Sequence, residues 1–154
     1  MDRKIVHVVG TGTIGEPLIG ILCEQKSNLG IDEVSFHKQS PLTKDAPKIK
    51  NLIAKGARLA VHEDRLESFK EIGLEPEFTM EEAVSRSSVV IDCTPKGFGH
   101  KNKVDFYEKY ADKVKGFLAQ GSEDGFGKKY ARGINDHVIN SEDRFLQVVS
   151  CNTH

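Results

Sequence analysis

The chain has 154 residues, of which 38% are hydrophobic and 29% charged, and it contains no Trp. This length supplies one globular domain with a single core and excludes two independent domains. The 22 basic and 23 acidic residues give a formal net charge of -1, which excludes a bulk attraction to nucleic acid or to an anionic membrane. The apolar runs are far shorter than the roughly 20 residues of a membrane helix, and no signal peptide precedes the first strand-like run. We therefore expect a soluble, cytoplasmic protein.

The three cysteines Cys23, Cys93 and Cys151 are widely spaced, with no C-x-x-C pair and no Cys/His cluster of zinc-like spacing. We therefore expect a reduced compartment and no metal site. Cys23 and Cys93 lie within apolar segments, which is typical of small buried hydrophobic residues.

The first elements alternate strand, helix and strand. Residues 4–9 are rich in β-branched residues and end at Gly10, which predicts a buried strand. A helix follows the glycines directly, because apolar residues recur at helical spacing and Pro17 is tolerated in a first turn. A second strand is predicted over residues 33–38. The buried face of the helix is predicted to carry Ile14, Leu18, Ile21 and Leu22.

The alternation continues along the chain, and it predicts a single Rossmann-like domain with a doubly wound, mainly parallel sheet. Residues 94–100 are predicted to form a loop before a helix with Val104, Tyr107 and Ala111 on one face. The glycine-rich stretch 121–143 is predicted to be a long irregular loop. Other predicted elements are helices over residues 47–55 and 66–72, a helix capped by Thr79, and strands over residues 58–61, 89–93, 116–119 and 144–149.

Gly10, Gly12 and Gly15 form a G-x-G-x-x-G motif between a predicted strand and a predicted helix, which is the context that gives this motif weight. The first glycine permits a tight turn, the second lets the backbone approach a pyrophosphate, and the third allows helix and strand to pack. Free N–H groups at the start of the helix then hold the anion. The alternative is a structural turn without a ligand.

The usual partner of such a loop is an acidic residue at the end of the second strand, which accepts a hydrogen bond from the ribose of NAD. That strand here ends in His37 and Lys38, while Asp32 and Glu33 lie at its start and point away from the ribose. Lys38, with His37, is suited to a 2′-phosphate, so we expect NADP in preference to NAD. The alternative for Lys38 is a solvated surface lysine.

Cys151 directly follows the apolar run 146–149, so it is expected to emerge at the end of a strand, where a following helix would lower its thiol pKa. A thiolate beside a nicotinamide is suited to aldehyde oxidation. It adds to the carbonyl, and the thiohemiacetal then loses hydride to the cofactor and leaves a thioester. The alternative is a structural cysteine.

Four ordered segments, spread over nearly the whole chain, carry a family resemblance: residues 10–15 (GTGTIG), 92–99 (DCTPKGFG) with 101–103 (KNK), 120–123 (QGSE) and 148–153 (VVSCNT). Together they resemble the type II, archaeal-type glyceraldehyde-3-phosphate dehydrogenases. The glycine motif alone is shared by many folds, whereas its combination with the Thr-Pro loop and the Ser-Cys-Asn-Thr end is specific.

The resemblance implies that Cys151 is the nucleophile and that Ser150 and Asn152 lie beside the substrate. The family has a glycine where this chain has Ser122, so the contact expected there departs from the pattern. Contacts with the cofactor are implied at Thr13, Ile14, Thr94, Pro95, Gly121 and Ser122.

Members of this family continue for roughly as many residues again, as a catalytic domain that carries the general base. Residues 1–154 therefore resemble the dinucleotide-binding domain up to the catalytic-cysteine motif, with the catalytic domain absent. The implied function is the NAD(P)-binding portion of a phosphorylating, glycolytic oxidoreductase that acts on an aldehyde phosphate, inactive alone. The resemblance is also compatible with a homo-oligomer. The alternatives are a free-standing nucleotide-sensing module and a related enzyme such as an aspartate-semialdehyde dehydrogenase.

Overall fold

The computed structural model describes residues 2–121 and 123–149. Within them, eight strands form one parallel sheet in the order β4-β3-β2-β1-β5-β6-β8-β7. The strands are β1 Ile5–Val9, β2 Glu33–His37, β3 Arg58–Val61, β4 Phe78–Thr79, β5 Val89–Asp92, β6 Gly116–Gln120, β7 Lys128–Tyr130 and β8 Phe145–Val148. The helices are α1 Gly15–Glu24, α2 Lys26–Leu29, α3 Ala46–Ala54, α4 Leu66–Glu71, α5 Met80–Ser85 and α6 Phe98–Asp105.

The order of the strands reverses at the centre of the sheet. From β1 the chain builds outward through β2, β3 and β4, and it then returns to the other side of β1 to add β5 and β6. The carboxyl ends of β1 and β5 flank this switch point, which is where open parallel sheets bind ligands. The predicted doubly wound, Rossmann-like sheet is confirmed, and each predicted strand is present to within one residue at either end.

Apolar side chains cover both faces of the sheet. Val8 and Phe36 belong to a core cluster with residues of α1, α3 and α4, including Ile19 and Ile49. Neighbouring Val9 points to the opposite face, where the second core cluster contains residues of α5 and of the segment after α6. This alternation follows from the two-residue period of a strand. Cys23 and Cys93 are both buried, as expected.

Half of the predicted buried face of α1 is confirmed, because Leu18 and Leu22 pack on the core. Ile14 and Ile21 are instead 49% and 55% exposed, and Gly15, Ile19 and Cys23 are buried in their place. The reason is the close approach of the helix to the glycine loop, since a Cβ on Gly15 would lie 2.0 Å from the carbonyl oxygen of Gly10. Contact at a residue without a side chain fixes the rotation of the helix.

The helix predicted after the Thr-Pro loop is also different. It begins inside the predicted loop, at Phe98, and ends at Asp105, so the predicted face does not form. Val104 is 52% exposed, while Tyr107 is fully buried in a 3₁₀ turn beyond the helix. Tyr107 leaves the helical path because its hydroxyl donates a hydrogen bond to buried Asp92, at 2.6 Å.

Two further features complete the fold. The predicted loop 121–143 contains a short edge strand, β7, which pairs with β8. Thr79 caps α5 as predicted, through reciprocal hydrogen bonds with Glu82. Among the described residues, none of the helices has the length and apolar character needed to cross a bilayer.

Candidate functional site

A cleft of about 870 Å³ opens at the carboxyl edge of the sheet, at the switch point between β1 and β5. Much of its lining comes from the carboxyl ends of six strands, which the parallel topology brings to one edge. These ends contribute residues 10–14 after β1, 38–39 after β2, His62 after β3, residues 80–81 after β4, residues 93–95 after β5, and Gln120 at the end of β6.

The three glycines of the motif have different geometric roles. Gly10 adopts a left-handed φ of 104°, and a Cβ there would lie 3.1 Å from the carbonyl oxygen of Cys93. Gly15 allows α1 to contact the loop. At Gly12, by contrast, no described atom outside Gly12 and its two chain neighbours lies within 4 Å of the position that a Cβ would occupy, so its backbone faces open space in the cleft. The motif therefore combines two packing glycines with one that leaves room for a ligand.

Hydrogen-bond donors lie at the start of α1. Its N-cap residue is Ile14, whose side chain has no oxygen to accept from the first N–H groups. Lys48 of α3 donates to the carbonyl oxygen of Thr11 at 3.0 Å, and it lies 3.8 Å from Glu16. Backbone N–H groups and an ammonium group therefore lie beside the glycine loop, an arrangement suited to an anion. Sequence reasoning missed Lys48, which is 37 residues from its partner.

Lys38, at the end of β2, is neither solvated nor free. Its ammonium nitrogen lies 2.7 Å from Oδ2 of Asp45, and the two side chains are only 14% and 18% exposed. The hydrogen bond from Lys38 lowers the pKa of Asp45. The alternative of a solvated surface lysine is therefore wrong, and the structure adds an acidic partner that the sequence did not reveal.

His37 lines the same part of the cleft as a neutral imidazole. Burial lowers its pKa to about 3, so at neutral pH it supplies no positive charge for a phosphate. Its ring contacts that of His62 edge to face, at 4.9 Å between centroids. Within residues 2–121 and 123–149, its Nε2 has no hydrogen-bond partner. His37 is thus suited to a neutral hydrogen bond rather than an ion pair.

Glu33 lies at the opposite edge of the sheet from the cleft, as expected. Its buried carboxylate forms ion pairs with Arg86 and with Arg3, the latter at 3.1 Å. These contacts lower its pKa below the usual range, although burial acts in the opposite direction. Glu33 therefore stabilises the amino edge of the sheet and is not positioned to contact a ligand in the cleft.

The wall that follows β5 is fixed by Asp92, which is completely buried. Its Oδ1 accepts from the backbone N–H of Thr94 at 3.0 Å and from the Thr94 hydroxyl. Its Oδ2 accepts from the amide of Asn102 at 3.0 Å and from Tyr107 at 2.6 Å. Burial raises the pKa of Tyr107 well above its ordinary value, so its hydroxyl stays protonated and donates. Asp92 therefore joins Thr94 of the Thr-Pro loop to Asn102 and Tyr107 and holds the loop in place.

A second buried carboxylate, Glu123, caps the start of α6. It accepts from the N–H of Gly97 at 2.7 Å and from the N–H of His100 at 3.0 Å. A Cβ on Gly99 would lie 2.9 Å from Cγ of Glu123, so this glycine allows the carboxylate to reach the helix. Two of the segments that carry the family resemblance, 92–99 and 120–123, are therefore joined in space.

The structure brings many of the predicted site residues together at the cleft. Gly15 packs behind it, and Gly121 is buried and accepts a hydrogen bond from Gln147 at 2.8 Å. Ser122, Ser150, Cys151 and Asn152 lie outside the described residues. Those that line the cleft are Gly10, Gly12, Thr13, Ile14, His37, Lys38, Thr94 and Pro95.

The chain is similar to archaeal glyceraldehyde-3-phosphate dehydrogenases. It is 30% identical to that of Pyrobaculum islandicum over 152 residues, and 32% identical to that of Methanobacterium bryantii over 153 residues. The family resemblance is confirmed. These alignments cover 96% and 97% of this chain but only 40% and 42% of the relatives, so the chain spans about two fifths of the length of the glyceraldehyde-3-phosphate dehydrogenases it matches. No protein-family model matches the chain.

Proposed function

We propose that residues 1–154 form the dinucleotide-binding domain of a phosphorylating glyceraldehyde-3-phosphate dehydrogenase, and that the cofactor is NADP in preference to NAD. The observation that carries the proposal is the cleft at the switch point, with a glycine loop whose second glycine faces open space. The archaeal relatives add the class of enzyme. Activity in glycolysis, in the cytoplasm, belongs to the same proposal.

The lining of the cleft suggests how the chain would hold the cofactor. Gly12 and the N–H groups at the start of α1 would bind the pyrophosphate, with the ammonium group of Lys48 nearby. Thr94 and Pro95, on the opposite wall, would lie beside the nicotinamide end. Lys38 would bind the 2′-phosphate at the end of β2. When bound, the cofactor supplies a hydride acceptor for the aldehyde.

The cofactor preference is tested by titrating the purified chain with NADPH and, separately, with NADH, using cofactor fluorescence or calorimetry. A hydrogen bond to a charged group contributes about 1.5–3 kcal/mol, so Lys38→Ala should weaken NADPH binding roughly tenfold to hundredfold. Binding of NADH should change little. Lys55→Ala is the matched control, because Lys55 pairs with Glu24 outside the cleft lining.

Tighter binding of NADH than of NADPH would overturn the preference while leaving the site in place. The absence of binding by either dinucleotide would contradict the proposed function of this chain. If Lys38→Ala weakened the binding of both dinucleotides by the same factor, the role given to Lys38 would be contradicted.

We also propose that Cys151 is the nucleophile, with Ser150 and Asn152 beside an aldehyde phosphate substrate. The Cys151 thiolate would add to the aldehyde carbon, and the thiohemiacetal would lose its hydroxyl proton to a general base and its hydride to the oxidised cofactor. A thioester would remain on sulfur for phosphate to cleave. The support is the resemblance of the Ser-Cys-Asn-Thr segment. Since the general base of the family is expected in a further domain, we expect this chain alone to show no turnover.

The nucleophile is tested by measuring iodoacetamide labelling of each cysteine by peptide mapping at pH 7. Cys23 and Cys93 are internal controls, because burial raises the pKa of Cys23 and raises that of Cys93 to about 12. We expect rapid labelling of Cys151 alone. Labelling of Cys151 at no more than the rate of a free cysteine peptide would contradict thiolate activation. That result, combined with cofactor binding, would favour the nucleotide-sensing alternative.

A further inference from the structure

We propose that Asp45 is a specificity-determining residue that restrains Lys38 and thereby limits the affinity of the chain for NADP relative to NAD. The inference rests on the proposed function, and it adds a residue that acts on the cofactor through another side chain. Asp45 is seven positions beyond Lys38 in the sequence, and the fold places the two charges in contact.

The pair is held by two anchored backbones. Lys38 continues from β2, and its N–H donates to the carbonyl oxygen of Ala60 at 3.2 Å. Asp45 closes a 3₁₀ turn, Thr43–Asp45, and its N–H donates to the carbonyl oxygen of Leu42 at 2.9 Å. Because both backbones are hydrogen-bonded within the chain and the side chains are only 14% and 18% exposed, the fold itself holds the two charges 2.7 Å apart.

The restraint acts differently on the two cofactors. A 2′-phosphate carries nearly two negative charges, so it would compete with the Asp45 carboxylate for the ammonium group of Lys38 and would be repelled by that carboxylate. A 2′-hydroxyl is neutral and meets neither obstacle. Asp45 therefore penalises NADP selectively, and the cofactor preference is set by the Lys38–Asp45 pair rather than by Lys38 alone.

The nearby Lys48–Glu16 pair provides a comparison. Lys48 and Glu16 lie 3.8 Å apart beside the glycine loop, where either dinucleotide would place its pyrophosphate. Removing the charge of Glu16 is therefore expected to change the affinities for NADPH and NADH by the same factor. A similar charge removed at Asp45 should change only the affinity for NADPH.

The test is a titration of wild type, Asp45→Asn, Glu16→Gln and the double variant Lys38→Ala/Asp45→Asn with NADPH and with NADH. We expect Asp45→Asn to tighten NADPH binding about tenfold, the effect of one charge-assisted hydrogen bond, with the Kd for NADH unchanged. The gain should be largely lost in the double variant. Asp45→Ser is a second substitution that removes the charge, and thermal melting shows that each variant is folded.

An unchanged ratio of the two Kd values in Asp45→Asn and Asp45→Ser would overturn the inference, as would a parallel gain for both dinucleotides. If the wild-type chain binds both dinucleotides, such a result leaves the proposed cofactor site intact. If the wild-type chain binds neither, the proposed function fails and the inference fails with it.

Discussion

Gly12 and Gly15 are three residues apart in one motif, but the same added methyl group should affect different properties at the two positions. Gly15→Ala places a Cβ 2.0 Å from the carbonyl oxygen of Gly10, and 2.7 Å from its carbon, so backbone must move. Gly12→Ala places a Cβ where no described atom beyond its two chain neighbours lies within 4 Å. The first substitution therefore acts on folding and the second on the space left for a pyrophosphate.

The magnitudes follow from these contacts. Overpacking costs about 1–3 kcal/mol, and a backbone clash belongs at the upper end, so Gly15→Ala should lose about 3 kcal/mol of unfolding free energy. For a domain of this size that loss lowers Tm by roughly 6–12 °C. Gly12→Ala should leave Tm within about 2 °C of wild type. It should nonetheless weaken the binding of both NADPH and NADH by about tenfold or more, because the added methyl group occupies the space used by the pyrophosphate.

The assay combines thermal melting with cofactor titration on the same preparations. The reasoning is refuted if Gly12→Ala lowers Tm as much as Gly15→Ala does, because the glycines would then share one packing role. It is refuted equally if Gly12→Ala binds both dinucleotides like wild type, because the open space at Gly12 would then not hold the pyrophosphate.

Two further predictions concern buried ionisable groups. Glu123→Gln leaves an amide against two N–H donors and should lower the free energy of unfolding in urea by about 1.5–3 kcal/mol. Glu82→Gln, at the exposed cap of α5, is the control and should lower it by less than about 1 kcal/mol. Equal losses in the two variants would contradict the role of burial. Burial lowers the pKa of His7 to about 3, so below pH 6.5 the unfolded chain binds a proton that the folded chain does not, and stability falls as the pH falls. Between pH 7 and 5 this amounts to about 2 kcal/mol, which His7→Gln should remove from the pH dependence of the stability measured by urea unfolding. An unchanged pH dependence in His7→Gln would contradict this assignment.

The sheet could be predicted because β1 and β5 at its centre are short apolar runs rich in β-branched residues, which end close to the turn residues Gly10 and Pro95. The two strands that were missed, β4 and β7, have two and three residues and lie at the edges, so they carry no periodic signal. The face of α1 could not be predicted from apolar spacing alone. There, the decisive contact involves Gly15, which has no side chain to register in a hydrophobic pattern.

The candidate site divides in the same way. The glycine loop and Lys38 could be predicted because local spacing places them at the ends of β1 and β2. Asp45, Asp92 and Glu123 had no such signal, because which donor a carboxylate accepts from is decided by tertiary packing. Glu123 lies within a segment of the family resemblance, and Gly97 and Gly99 within another, but only the fold shows that they form one cap.

The two sides of the cleft therefore make different demands on a ligand. On the side of β5, Asp92 and Glu123 accept hydrogen bonds from the Thr-Pro loop and from α6 within the chain itself. That wall is therefore already ordered, and binding does not have to offset an entropic cost of ordering it. On the side of β2, Lys38 is already paired with Asp45, so a 2′-phosphate must replace an existing contact. Affinity for the part common to NADP and NAD is consequently expected to depend on the preformed wall and the glycine loop. Discrimination between the two depends on how readily one ion pair opens.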